Sequence, residues 1–187
     1  MVLIIPTLPA MAVNYNVGPY GACQYNACSI TISSNGTVSL DVTPTSSGSC
    51  TIQNDTVSVF TENPSGYILS LNNSTTDTTL RNGSGTINST TGSQSSPIAL
   101  TVNRWGYRVD GVGGFGSGPT TSQSNVSLNS TLFAIVPASN VTADTIASTS
   151  VPANPTVDTQ VWYGVCANIG VSSGSYTTQV TYTAVTN

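Results

Sequence analysis

The sequence predicts an all-β protein: an antiparallel β-sandwich, immunoglobulin-like or jelly-roll-like, of about nine or ten strands with an extended N-terminal arm. Three observations predict it. Short segments rich in Val, Ile, Thr and Tyr alternate with turn residues along most of the chain. No stretch carries the 3.6-residue apolar period of a helix. At 187 residues the chain is long enough to bury one core, and all-β folds of this size form one domain. The expected organisation is an apolar segment over residues 1–13 followed by a single sandwich domain over 14–187.

Residues 1–13, "MVLIIPTLPAMAV", are the only segment that is apolar throughout. One reading is a signal-peptide remnant, since "AMA" fits a signal-peptidase site, but the run is short and has no positively charged start. The other, which we place first, is a donor strand: "VLII" is a β-former suited to adding itself to a sheet edge. Its residues would be Val2, Leu3, Ile4, Ile5 and Leu8, and burying one face would contribute roughly 3 to 6 kcal/mol before ordering costs. Pro6 and Pro9 argue against a membrane-spanning helix, which needs about 20 uninterrupted apolar residues, and against a long pilin helix.

From Ser29 onward the strands follow in order. "SITIS" and "TVSLDVT" flank Asn35-Gly36, which reads as a hairpin. "TVSVFTE" and "GYILSLN" flank "NPSG", where Pro64 presets a turn and Gly66 closes it. Residues 73–97 are nearly all Ser, Thr, Asn and Gly, with Leu80 and Ile87 as apolar anchors, and read as a long surface excursion with at most one short strand. "IALTV", "RWGYRV", a glycine-rich loop "DGVGGFGSGPTT", "STLFAIV", "TQVWYGVCAN" and "SYTTQVTYTAV" complete the chain. In the last of these Tyr176, Thr178, Val180, Tyr182 and Ala184 share a face, as one side of a half-buried strand requires.

Charge excludes several functions. Only 5% of residues are charged, Lys and His are absent, and the cations are Arg81, Arg104 and Arg108. Nucleic-acid binding and a polybasic membrane patch both need clustered cations and are excluded. Nucleophilic catalysis lacks its usual bases, and the carboxylates, Glu62 and six Asp, are scattered. No enzymatic activity and no cofactor are expected, and no calcium-loop motif is present. A neutral surface lacks mutual repulsion, so deliberate association or a coat of sugar would suit it.

Two features point to an oxidising, extracellular setting. The four cysteines, Cys23, Cys28, Cys50 and Cys166, allow three pairings, of which we favour Cys23 with Cys28 and Cys50 with Cys166, an all-cysteine metal site being the alternative. Asn-x-Ser/Thr acceptors occur at Asn35, Asn54, Asn72, Asn73, Asn82, Asn88, Asn125, Asn129 and Asn140. In so Asn-, Ser- and Thr-rich a chain chance supplies several, so polar strand faces explain each one as readily as a glycan.

The richest stretch is "NRWGYRVDG", residues 103–111. As a strand it puts Trp105, Tyr107 and Val109 on one face and Arg104, Gly106, Arg108 and Asp110 on the other. We expect an Arg108–Asp110 ion pair, with the arginines pinning the glycine-rich loop, rather than a reactive site; a clamp for an acidic ligand is the alternative.

The segments "NRWGYRVDGVGGFGSGPTT", "VWYGV" and "GSYTTQVTYTAVTN", with "ACSITISSNGTVSLDVTP" and "SGYILSL", resemble a group of secreted β-rich surface proteins of Saccharibacteria. That resemblance implies an exported surface protein and no activity; Cys50 and Cys166 depart from it. The layout of apolar arm and Ser/Thr-rich sandwich also looks like that of filament subunits that exchange donor strands. Together these give the expected function: a structural subunit of an extracellular, non-covalent, pilus-like filament whose partner is itself. The alternative is a monomeric adhesin or envelope protein that binds a host surface or glycan through Tyr15, Tyr20, Tyr25 or Phe115.

Overall fold

A computed structural model describes residues 2–7 as backbone and residues 29–83, 85–119, 121–127 and 130–187 in full. Among them are fourteen strands and no helix: β1 (Val2–Thr7), β2 (Ile30–Ser34), β3 (Val38–Leu40), β4 (Ser49–Thr61), β5 (Tyr67–Asn73), β6 (Leu80–Arg81), β7 (Thr86–Ser89), β8 (Ile98–Ala99), β9 (Arg104–Arg108), β10 (Gln123–Val126), β11 (Leu132–Phe133), β12 (Asp144–Ser148), β13 (Ala153–Ala167) and β14 (Tyr176–Thr186).

One sheet runs β12, β5, β14, β1, β3. The other places β2 and β10 along one edge of β4, followed by β13, β9 and β7. The hairpin β6–β7 joins them, because β6 pairs with β14 while β7 runs parallel to β9. The result is a sandwich closed along one side at the end where β14 begins. Alternation explains the core between the sheets: along β4 Val57 and Val59 point inward, along β13 Val161, Tyr163 and Val165, along β14 Val180 and Tyr182.

The second sheet is buried on both faces. On its outer side Cys50, Ile52, Trp162 and Cys166 pack with Leu100 and Phe133, the latter on the small β8–β11 sheet that forms a third layer. Gly106 and Gly164 face each other across β9 and β13 and make room for it. A Cβ on Gly164 would lie 2.7 Å from the Phe133 ring, and one on Gly106 2.6 Å from the Ala134 carbonyl oxygen. The run "VWYGVCA" is therefore buried continuously rather than alternately.

Two sequence expectations change. The segments around Asn35-Gly36 do not form a hairpin: β2 pairs with β4 and β3 with β1, so residues 35–37 arch from one sheet to the other. Alternation is the same for a hairpin and an arch; here the Asn35 N–H donates to Asp55 Oδ1 on β4 at 2.9 Å, and Gly36 takes φ of 90°. Residues 63–66 do turn as expected, with the Gly66 N–H donating to the Asn63 carbonyl at 2.9 Å, but they too connect the two sheets. The polar excursion holds two strands, not at most one, since Leu80 and Ile87 pair across a turn and are both buried.

Cys50 and Cys166 are directly opposed on β4 and β13, with Cα atoms 4.1 Å apart, and are disulfide-bonded as expected. Cys23 and Cys28 lie outside the described residues.

Candidate functional site

β14 has two edges with different occupants. On one, residues 180–186 pair with β5 and Thr177 with Arg81 of β6. On the other, residues 176–181 pair in parallel with β1, from Val2 opposite Tyr176 to Thr7 opposite Thr181. The far side of β1 pairs antiparallel with β3: Val2 with Leu40, Leu3 with Ser39, Ile4 with Val38. Among the described residues this is the only ladder β3 makes.

The site is therefore a slot one strand wide. At ordinary strand spacing its walls, β14 and β3, stand about 9.5 Å apart. Its floor is the apolar interior, because Tyr176 and Val180 on β14 and Val38 and Leu40 on β3 are all buried. Of the expected donor residues, the backbones of Val2, Leu3, Ile4 and Ile5 lie in the slot; Leu8 lies outside the described residues. Pro6, which has no N–H to give, comes after the β3 ladder has ended at Ile4. Sequence reasoning found the arm but not its receptor: Tyr176 and Val180 read as ordinary core alternation, and nothing in "TVSLDVT" marks a strand whose neighbour is distant in sequence.

The arginine-rich strand is structural. Arg108, only 2% exposed, donates from Nε and Nη2 to Asp110 Oδ1 at 3.0 and 2.7 Å. Nη2 also reaches the Phe115 carbonyl at 3.2 Å, Nη1 the Leu132 carbonyl at 3.3 Å, and the guanidinium sits 5.9 Å from the centre of the Phe115 ring. It pins the glycine-rich loop as expected. Arg104 does not: its Nη1 donates to the Ser89 carbonyl on β7 at 3.0 Å. Arg108 is thus committed inside the fold, while Arg104, half-buried, is tied to β7 by that one bond. Phe115 is 2% exposed and packs edge-on against Tyr107, so it leaves the list of binding aromatics. Tyr15, Tyr20 and Tyr25 lie outside the described residues.

The acidic residues also hold structure. Asp77 accepts from the Thr79 N–H and hydroxyl and pairs with Arg81, and these bonds lower its pKa to about 2. Asp144 accepts the Tyr107 hydroxyl at 2.6 Å, Asp158 the Ser58 hydroxyl, and Glu62 the Asn154 amide. Burial pushes the Asp144 carboxyl up, and Tyr107 opposes it. Burial likewise pushes up the hydroxyls of Tyr67, Tyr107, Tyr163 and Tyr182, away from the range in which a phenolate acts as a base.

One carboxylate is out of place in an apolar interior. Asp55 projects from β4 into the core near the Tyr163–Tyr182 hydroxyl pair, whose oxygens are 2.7 Å apart. Its Oδ1 takes the Asn35 N–H, and Oδ2 has no hydrogen-bond partner among the described residues. Burial raises its pKa, against the lowering by Asn35 and Tyr182.

The sequons divide by position. Asn73 is fully buried and donates to Thr178 Oγ1, which removes it as a glycan acceptor in the folded protein. Asn35, Asn88, Asn125 and Asn140 are exposed, and Asn54, Asn72 and Asn82 half-buried; Asn129 lies outside the described residues. Among the described residues no group of three or more His, Cys, Asp or Glu side chains is placed to hold a metal, and no helix is long and apolar enough to cross a membrane. No family model, curated protein or solved structure matches the chain.

Proposed function

We propose that the chain is a non-catalytic structural subunit of an extracellular, non-covalent filament, in which β1 of one copy fills the β14–β3 slot of the next. The observation that carries this reading is that, among the described residues, β1 alone ties β3 to its sheet. A segment that completes a sheet from far away in sequence is joined to it by ladder bonds and apolar contact, and the same bonds form when a second copy supplies it. Between Thr7 and Ser29 run 21 residues, which fully extended reach roughly 70 Å, ample for a neighbouring subunit. The nearly uncharged surface and the likeness to secreted surface proteins favour assembly outside the cell.

Deleting residues 1–13 tests the reading. Loss of filaments, with soluble monomers remaining, is expected; filaments that survive the deletion would sink it. A second reading is favoured by the pairing of β1 within its own chain: a self-closed monomer serving as adhesin or envelope protein. Electron microscopy of native material separates the two, since only the first yields fibres.

A further inference from the structure

β9 follows β13 only from Cys166 to Trp162. At Arg108 it leaves the sheet for the glycine-rich loop, which Arg108 holds aside. Among the described residues, β13 before Trp162 then has β4 on one edge and no strand on the other. Facing it across the open end of the sandwich is β12, whose only ladder among these residues is with β5. Between the two edges lies a cleft of about 620 Å³, walled by residues 145–149 and 157–160. Tyr67 lines it, and its buried hydroxyl has no hydrogen-bond partner among the described residues. A buried polar group left without a partner is uncommon in a folded protein.

We propose that this open strand position beside β13 binds an extended peptide carrying a basic side chain. Unpaired main-chain groups on an edge recruit a strand, and the segment would continue the line that β9 abandons. Charge decides the occupant. Asp158, exposed on β13 beside the open position, lines the cleft and among the described residues accepts only the Ser58 hydroxyl; Asp110, which also lines it, is already paired with Arg108. A Lys or Arg on the incoming strand would sit opposite it as a cross-strand pair. This chain has no such segment to lend: Arg81 lies on β6, laddered to both β7 and β14, and Arg104 and Arg108 lie on β9, laddered to β13. The occupant is therefore a segment of another protein and not a second copy, and the inference does not rest on the filament.

The test is titration of the full chain, followed by calorimetry and by amide chemical shifts, with an acetylated and amidated threonine–valine heptapeptide bearing a central lysine. Saturable binding with shifts in residues 145–149 and 157–160 is expected. Glutamate in place of the lysine is expected to weaken it at least tenfold. Asp158→Asn is expected to weaken the lysine peptide about threefold with melting unchanged, as loss of one exposed pair requires. N-methylation of alternate peptide amides is expected to abolish binding. Equal affinity for the methylated peptide, indifference to the central charge, absence of any peptide binding, or binding of an N-acetylglucosamine trimer instead would each overturn the proposal.

Discussion

Arg108→Ala removes one side chain and several attachments at once. In the wild type its guanidinium gives two bonds to Asp110, bonds to the carbonyls of Phe115 and Leu132, and contact with the Phe115 ring. Breaking a buried ion pair costs about 3 to 5 kcal/mol, but Asp110 keeps 34% of its side chain in water, so its stranded charge is partly solvated and the low end applies. Unpaired carbonyls and an unfilled volume offset that discount, so the expected loss is about 3 kcal/mol. For a domain of this size that lowers Tm by roughly 6 to 12 °C. Denaturant unfolding followed by tryptophan fluorescence measures the loss, and hydrogen exchange measures the loop. The Gly111 and Phe115 amides, bonded to the Gly116 and Val112 carbonyls, are expected to exchange faster. Arg108→Lys, which keeps the charge and loses the fork, is expected to recover less than half of the loss. A loss below 1 kcal/mol with unchanged exchange over residues 111–118 would refute the pinning role.

Other perturbations follow from the same contacts. Ile4→Cys with Val38→Cys places thiols at paired positions of β1 and β3; a ladder of covalent oligomers on non-reducing gels is expected from filaments, and monomers alone would refute exchange between copies. Asp55→Asn is expected to raise stability at pH 7 by about 1 kcal/mol. Because burial raises the folded pKa above 3.8, the contribution of Asp55 is fully present below pH 3.8 and is lost as pH rises through the folded value. The gain from the variant is therefore expected to shrink from pH 7 to pH 4, and a constant difference would refute the buried-acid account. Replacing both Cys50 and Cys166 by Ala opens a link across 116 residues and is expected to cost about 4 kcal/mol in thermal or denaturant unfolding. Gly164→Ala is expected to cost about 2 kcal/mol, since its methyl meets the Phe133 ring; wild-type melting would contradict the three-layer packing.

Much of the fold was legible because alternation is a local property. Tyr176, Val180, Tyr182 and Ala184 face the core as their spacing requires, and so do Trp105, Tyr107 and Val109. Pairing was less legible, because it depends on which edge a strand meets. The arch at Asn35-Gly36 has the turn chemistry of a hairpin, and its partner choice is settled by Asp55 and by β1, both distant in sequence. β10 and β12 escaped because "QSNV" and "DTIAS" are polar or short strands at sheet edges, where β12 buries one side chain and β10 none. The third layer did leave a signal: in "VWYGVC" adjacent bulky residues on a central strand mean that both faces are covered. The slot beside β14 had none, since a groove belongs to two strands and to neither sequence alone.

The position of β1 also decides how long an edge the first sheet offers to strangers. With β1 seated, that side ends in β3, three residues long. With β1 withdrawn, β3 loses its ladder and the sheet ends in residues 176–181 of β14, six in register and backed by buried apolar side chains. A three-residue edge gives a passing chain too few bonds to hold, whereas a six-residue apolar edge invites indiscriminate pairing. Occupancy of the slot is thus a guard against aggregation, and a subunit awaiting a strand would need shielding for as long as it waits.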